Sequence, residues 1–258
     1  MGLGIEGVVC RTVRDAAGAL DAMHGPELGD PFLMAPPAQP YAQAIGTPPR
    51  RLRIAVTTQF PGTQPAARAC VEAVEATAAV LADLGHVVEW ATPAYAHEAF
   101  LAATRTFWSS FLAAGVAGVA QALQITVDQA LAQVQACTRA TAEHGLRLSA
   151  LDLELALMQM NAVSREVAPF FARHDILLSP TMRTPPVALG VLDQDDATRD
   201  AQGFFDHLFD YAACTPLANL TGQPAISLPL AMAGDLPIGV QCICLLYTSD
   251  AADEGLGV

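Results

Sequence analysis

The chain has 258 residues, of which 52% are hydrophobic and 15% are charged, and its net charge is −13 at neutral pH. This length allows one large α/β domain or two small ones, with a sizeable hydrophobic core. Its 13 basic residues are all arginines, and an acidic, lysine-free chain is a poor candidate for binding nucleic acid or an anionic membrane.

The cysteines also exclude several classes of protein. They lie at positions 10, 70, 137, 214, 242 and 244, and neither a CxxC pair nor a zinc-type Cys/His spacing occurs. We therefore expect buried thiols in a cytoplasmic protein, with no metal and no cofactor. The sequence shows no signal peptide and no apolar run of about 20 residues, so we expect no membrane span. The alanine-rich, lysine-free composition indicates a GC-rich bacterial gene of the metagenomic kind.

The first predicted element is a helix that begins after Thr12. Asp15 follows three residues later, close to a capping box, and Gly25 is expected to end the helix. Arg14 and Asp15 are open to two interpretations, a cap with an ion pair or groups that orient catalytic residues. The predicted inward face consists of Val13, Ala16, Ala17, Leu20 and Met23. A proline-rich loop, Pro26–Pro49, follows.

A β-α-β unit comes next. Arg53–Thr57 and His86–Ala91 are predicted strands on either side of a helix over Ala66–Leu84. This order favours neighbouring parallel strands. The predicted inward side chains of the helix are Val71, Val74, Leu81 and Leu84.

Tyr95–Ala172 shows no strand signal and is predicted to form three helices. Their predicted bounds are Ala96–Ala114, Thr126–Glu143 and Ala150–Ala172. Ser149 and Asp152 form a capping pair before the third helix, and Pro169 is expected to kink or end it. Four aromatic residues near the first helix have two interpretations, a hydrophobic substrate funnel or simple core packing. They are Phe100, Phe107, Trp108 and Phe111.

The last part of the chain contains the predicted site. Ile176–Ser179 is predicted to be a buried strand, and Phe204–Leu220 a helix that Pro216 could end early. Two further buried strands, Ala225–Leu230 and Ile238–Ile243, flank a loop with Gly234 and Asp235. Uncharged polar side chains precede or follow these strands, and they either line a substrate pocket or only satisfy local turns. The candidates for substrate binding are Thr181, Asn219, Thr221 and Gln223.

Three of these stretches together resemble one family. NLTGQPAISLPLAMAGDLPIGVQ at Asn219–Gln241 resembles the C-terminal signature of the amidase signature family, serine hydrolases that cleave carboxamides. CRTVRDAAGAL at Cys10–Leu20 and ILLSPT at Ile176–Thr181 resemble two further segments of that family, in the same order. GPELGDP, from Gly25 onward, is most similar to bacterial amidases of the 6-aminohexanoate cyclic dimer hydrolase type.

The resemblance implies an α/β fold, in which helices cover a mixed β-sheet. It also implies a protein that acts on a small-molecule amide and could form a homodimer. It also implies a serine nucleophile, a second serine on a cis peptide, a buried lysine base and a glycine-rich oxyanion loop. None of these residues can be assigned here, because the chain contains no lysine and no GGSSGGS-like stretch. We therefore expect residues 1–243 to be the C-terminal portion of an amidase domain, inactive alone and without catalytic residues of its own.

Other functions remain open at this point. A tRNA-dependent amidotransferase subunit would need partners and tRNA, and a non-catalytic binding module on the same scaffold would explain the missing lysine. A Ser/His/Asp triad of His174 and Asp175 with Ser179 or Ser227 can also be drawn, although neither serine lies in a G-x-S-x-G elbow.

The end of the chain has an unusual sequence. Cys244–Glu254 reads CLLYTSDAADE, which resembles a translated transposon-type sequencing adapter. We expect residues 244–258 to be a non-native tail. The strand from Ile238 should nevertheless continue into its first residues, because Cys244–Tyr247 is apolar.

Overall fold

The computed structural model describes residues 3–5, 7–30 and 36–245. It divides the chain into two compact units, one covering Leu3–Arg51 and one beginning at Leu52. The expected structure of the tail beyond Leu245 lies outside the described residues.

The first unit contains helix α1, Val13–Met23, and the short helix α2, Tyr41–Ala44. The predicted cap is confirmed, because the Thr12 side chain accepts a hydrogen bond from the backbone N–H of Asp15 at 3.1 Å. The predicted proline-rich loop is therefore interrupted by a helical turn.

The predicted inward face of α1 is wrong for this unit. Of its five residues only Ala17 is buried, whereas Val13, Leu20 and Met23 are exposed. Helical spacing identifies an apolar stripe but cannot say whether another element covers it.

The second unit is built on a five-stranded mixed sheet. Its strands are β1 (Arg53–Val56), β2 (Val87–Trp90), β3 (Ile176–Pro180), β4 (Ala225–Ala233) and β5 (Leu236–Cys244). Their order across the sheet is β2-β1-β3-β5-β4. β1 runs parallel to both β2 and β3, and β5 runs antiparallel to both β3 and β4. The predicted parallel pair and the extension of the last strand to Cys244 are both confirmed.

The second unit also contains helices. They are α3 (Arg68–Asp83), α4 (His97–Leu123), α5 (Val127–Leu131), α6 (Ala136–Gly145), α7 (Ala150–Phe171), α8 (Ala201–Tyr211) and α9 (Pro216–Thr221). α3 connects β1 to β2 and packs on the sheet, where Val74 lies in a core cluster with Ile54, Leu178 and Val240. Leu84, predicted to face this core, is exposed because it lies beyond the last helical residue of α3.

Two predicted helices are each divided in the structure. The predicted helix over Thr126–Glu143 consists of α5 and α6, and the Asp195 carboxylate accepts the backbone N–H of Ala136 where α6 begins. The predicted helix over Phe204–Leu220 consists of α8 and α9, with Pro216 at the start of α9, where a proline needs no N–H donor.

Pro169 does not end α7, which continues through it to Phe171. The capping pair at the start of this helix is confirmed, because Ser149 and Asp152 form a capping box. Of the four aromatic residues near α4, Phe100 and Phe107 are buried, which fits core packing, whereas Phe111 is 70% exposed.

β4 is an edge strand and largely exposed, so its prediction as a buried strand is wrong. Its alternating apolar residues include Leu230 and Met232, which remain exposed. The ladder shifts register between Pro229 and Ala231, the irregularity expected where a proline lies on an edge strand.

α4 is long and apolar enough, by length and composition, to cross a membrane. The expectation that no segment meets this standard is therefore wrong. A single helix of this kind is weak evidence for a membrane span, because core helices of other proteins meet the same standard. α4 packs against α6 and α7, and it buries Phe100, Phe107 and Val116 within this unit.

The contact between α4 and α6 is unusually close at one point. A Cβ atom placed on Gly145, the last residue of α6, would lie 2.0 Å from the backbone oxygen of Ser109. Both residues are buried, so the two helix backbones touch where only a glycine fits.

We predict that Gly145→Ala lowers the free energy of unfolding by about 2 kcal/mol, because the added methyl group must push the backbones of α4 and α6 apart. Gly118→Ala is the matched control. Gly118 lies inside α4 with open space around it, so the alanine should be neutral or stabilising by about 0.5–1 kcal/mol. Urea unfolding measures both, and equal stability of the two variants would contradict the close contact.

Candidate functional site

The best-defined polar cluster lies at the carboxyl end of β3. Thr181 directly follows this strand, and its backbone N–H donates to the carbonyl oxygen of Gly239 on β5. Its hydroxyl Oγ1 lies 2.6 Å from Oγ of Ser227 on β4. Two hydroxyl groups thus meet across an intervening strand, at the end of the sheet where α/β proteins commonly bind ligands.

Gly239 makes this approach possible. A Cβ atom at this position would lie 2.7 Å from both hydroxyl oxygens, Thr181 Oγ1 and Ser227 Oγ. A glycine inside a strand often marks such a close approach, here of two side chains over the backbone.

The same face of the sheet carries a row of three polar residues, of which the two on β3 and β5 are buried and the one on β4 is exposed. Ser179, Gln241 and Ser227 lie opposite one another on β3, β5 and β4. The Nε2 group of Gln241 donates to Ser179 Oγ at 3.3 Å and to the carbonyl oxygen of Cys214 at 3.1 Å. Ser179 is fully buried and Gln241 is nearly so, so these bonds satisfy groups that water cannot reach.

Arg183 holds the loop that follows Thr181. Its guanidinium Nε donates to the backbone oxygen of Asp210 at 2.8 Å, and Nη2 contacts the Asp210 carboxylate at 2.5 Å. The carbonyl oxygen of Arg183 also accepts the N–H of Ala67, just before α3. The loop is therefore fastened to two helices, which keeps Thr181 in place.

A small cavity of about 150 Å³ adjoins these groups. Thr181, Ser227 and Tyr211 contribute hydroxyl groups to its wall, and Cys70 contributes a thiol. Burial raises the pKa of this thiol, and it raises the pKa of the nearby Cys214 to about 12. Both thiols are therefore protonated at neutral pH and are poor nucleophiles.

The other three predicted site residues lie elsewhere. Asn219 and Thr221 belong to α9, and Gln223 follows it. The Thr221 hydroxyl lies 2.8 Å from Gln223 Oε1, and Gln223 Nε2 donates to the carbonyl oxygen of Cys244 at 3.1 Å.

The strand register separates these three residues from Thr181. β3 and β4 both run antiparallel to β5, so they are parallel to each other. Thr181 follows the end of β3, whereas Gln223 precedes the start of β4, which lies level with the start of β3, so the two residues lie at opposite ends of β3. The four predicted residues therefore do not form one cluster, and their contact with substrate stays a prediction.

The alternative Ser/His/Asp triad is not formed. His174 places Nδ1 2.9 Å from the carbonyl oxygen of Phe170 and Nε2 2.5 Å from the Glu89 carboxylate. Asp175 pairs with Arg53, and neither residue contacts Ser179 or Ser227. Within residues 3–5, 7–30 and 36–245 no group of three or more His, Cys, Asp or Glu side chains could hold a metal ion.

Several residues of this cluster were missed by the sequence analysis. The sequence indicates Ser227 only as a possible triad member, and it gives no sign that Arg183 or Gln241 belongs to a site. The glycine at 239 inside an apolar run was the one available signal of a close approach. Nothing in the sequence could pair Thr181 with Ser227, since 46 positions separate them.

Comparison with known proteins gives one family. The family model described as Amidase matches residues 1–250. The 6-aminohexanoate-cyclic-dimer hydrolase of Paenarthrobacter ureafaciens is 31% identical over 259 residues, covering 96% of this chain and 52% of that protein. The chain spans about half the length of the curated relatives it matches.

Solved structures agree with the fold. The structure of 6-aminohexanoate cyclic dimer hydrolase complexed with substrate superposes with a TM-score of 0.79 at 29% identity, covering 94% of this chain and 51% of that one. A bacterial aryl acylamidase of the amidase signature family gives a TM-score of 0.76 at 22% identity, covering 91% of this chain and 48% of that one. At that identity the likeness shows the fold alone.

We predict that Gly239→Ala lowers the free energy of unfolding by about 1–3 kcal/mol, because its methyl group would displace the Thr181 and Ser227 hydroxyls. Ser227→Ala removes one of those hydroxyls and should cost only about 0.5–1.5 kcal/mol. In the double variant the two costs should be less than additive, because the alanine at 227 relieves part of the clash. Urea unfolding of all three variants measures this, and additive effects would contradict the arrangement.

Proposed function

The chain belongs to the amidase family, and on that premise we propose that it supplies half of an enzyme that hydrolyses a carboxamide C–N bond. The observation that carries the proposal is the extent of the match. One long structural alignment covers 94% of this chain but only 51% of a cyclic-dimer hydrolase. The hydrolase chain is therefore about twice as long as the part that this chain matches.

We place the catalytic groups in that additional portion. The family resemblance implies a lysine base, and this chain contains 13 arginines and no lysine. An arginine cannot replace it, because its guanidinium stays protonated in proteins. The nucleophilic serine, the relaying serine and the oxyanion loop would come from the same portion, since none of the serines here lies in a glycine-rich loop.

The present chain would then contribute structure and part of a substrate pocket. Thr181 is the best placed of the predicted substrate-binding residues, because it lies at the carboxyl end of β3 and borders a cavity. Asn219, Thr221 and Gln223 form a second candidate group, near the start of β4. Each of the two groups is a separate candidate for contact with a small amide.

The relatives suggest the class of substrate that we propose. The curated relatives include cyclic-dimer hydrolases from Paenarthrobacter ureafaciens and a Pseudomonas strain. We propose that the substrate is a small linear or cyclic amide and that the enzyme binds no nucleic acid, metal or cofactor. We also propose that it is a cytoplasmic, bacterial enzyme that forms homodimers. Profiling the complete gene product on linear, cyclic, aryl and fatty amides tests this, and activity on aryl or fatty amides alone would overturn it.

One observation favours a second candidate function. The absence of lysine is what a non-catalytic binding module on the amidase scaffold would show. The DNA upstream of the Met1 codon distinguishes the two functions. An open frame that encodes a lysine and a GGSSGGS-like loop supports the enzyme, whereas a promoter and ribosome-binding site support the module. A tRNA-dependent amidotransferase subunit is disfavoured by the net charge of −13.

We also propose that residues 1–243 belong to the amidase domain and that 244–258 are a non-native tail. Cys244 nevertheless completes β5, where it pairs with Ile176. Resequencing the gene with a library that uses no transposon adapter tests this proposal. A native frame that retains CLLYTSDAADE would overturn it.

We predict that the 258-residue chain alone hydrolyses no amide. Loss of a complete catalytic triad costs a serine hydrolase about 10⁶-fold in turnover, and the remaining rate depends on oxyanion contacts that this chain also lacks. The measurement is release of p-nitroaniline from a reactive anilide by the purified chain. A boiled sample and a mock purification are the controls, and turnover above both would overturn the placement of the catalytic groups.

A further inference from the structure

A cavity in the second unit lies among its helices. Its volume is about 620 Å³, and its walls come from α4, α6, α7 and the start of α8. Pockets of about 300–1,000 Å³ are the usual size for small-molecule sites. The family resemblance assigns no role to this cavity.

Two guanidinium groups face this cavity without partners. Arg105, on α4, is half-buried, and Arg147, just beyond α6, is exposed. Neither side chain forms a hydrogen bond or an ion pair with any residue in the described part of the chain. By contrast, four other arginines form ion pairs with carboxylates: Arg53, Arg68, Arg183 and Arg199. Both positive charges at the cavity wall therefore lack a partner among the described residues.

Two carboxylates also line the cavity, and only one oxygen atom of each accepts hydrogen bonds within the described part of the chain. Oδ2 of Asp152 accepts hydrogen bonds from the backbone N–H and the hydroxyl of Ser149, both at 2.7 Å. Oδ1 of Asp200 accepts the N–H of Gly203 at 2.8 Å. The hydrogen bonds from Ser149 lower the pKa of Asp152, so this carboxylate stays ionised at neutral pH. The second oxygen of each group has no partner among the described residues.

Three of these four charged residues lie at helix ends, and Arg105 lies inside α4. Arg147 follows Gly145, which lies against the backbone of Ser109, one turn beyond Arg105 on α4. Asp152 belongs to the capping box of α7, and Asp200 is the N-cap of α8. A charged ligand would therefore meet groups whose backbones need not move.

We propose that this cavity binds a small zwitterion, a linear amino acid that carries one carboxylate and one ammonium group. The carboxylate pairs with Arg105 and Arg147, whose planar donor groups suit carboxylate oxygens. The ammonium group donates to the free oxygens of Asp152 and Asp200. The inference does not depend on amide hydrolysis.

The charge balance selects a zwitterion over a simple anion or cation. Two arginines and two aspartates give the wall equal numbers of opposite charges. A lone carboxylate would pair with the arginines but leave both aspartates unpaired, and the net charge of −13 disfavours anions in general. A lone amine would leave the arginines unpaired. His144, also at the wall, can donate or accept a hydrogen bond.

Isothermal titration of the 258-residue chain with linear ω-amino acids of two to eight carbons tests the proposal. One chain length should bind best, at least tenfold more tightly than the alkanoate and the alkylamine of the same length. Arg147→Gln, at an exposed position that should not affect folding, should weaken this binding about tenfold or more. Arg105→Gln should do the same. Arg173→Gln is the matched control, because Arg173 is equally exposed and lies outside the cavity wall.

Each alternative outcome overturns the proposal. No binding at millimolar concentration would exclude the site, provided that circular dichroism shows a folded chain. If the chain proves unfolded, the same titration and variants are carried out on the complete gene product. Equal binding of the alkanoate would remove the assigned role of the aspartates, and equal weakening by all three arginine variants would indicate only a general charge effect.

Discussion

The hydrogen bonding of β3 on both of its sides is the constraint on which the second unit depends. Residues Ile176–Pro180 pair with parallel β1 on one side and with antiparallel β5 on the other. β3 therefore joins the β-α-β unit formed by β1, α3 and β2 to the hairpin of β4 and β5. Leu177, Leu178 and Ser179 are fully buried as a result. β3 is the strand at which the sheet changes from parallel to antiparallel pairing. The loop that begins at Thr181 follows the carboxyl end of this strand, which is a favourable place for a binding site.

Two glycines set how closely the remaining parts approach. Gly239 allows the Thr181 and Ser227 hydroxyls to meet over β5, and Gly145 allows α6 to lie against the backbone of α4. The first contact shapes the polar cluster at the end of the sheet. The second positions the arginines at the wall of the helical cavity. In both places the absence of a side chain, not an attractive group, determines the geometry.

The buried polar groups limit which chemistry these described residues can perform. Ser179 and Gln241 satisfy each other inside the sheet, and His174 is held between Phe170 and Glu89. None of them is left free to act as a base or a nucleophile. The chain belongs to the amidase family and spans about half the length of its curated relatives, and these described groups are suited to shaping a pocket.

The sequence by itself determined most of the local structure. The cap at Thr12, the capping box at Ser149, the parallel strands and the hairpin near Gly234 all follow from interactions within a few residues. It also determined the family, because three motifs occur in the family's order. Local patterns could not show that β4 lies at an edge or that Val13 and Leu20 stay exposed, since burial depends on which elements cover them.

Only the tertiary structure decided which distant residues meet. Ser227 meets Thr181 through the register of three strands, and the same register places Gln223 at the opposite end of β3. The charges of Arg105, Arg147, Asp152 and Asp200 come to one cavity because four helices pack around it. Register and helix packing are set by the summed contacts of the core, which no short segment of sequence contains.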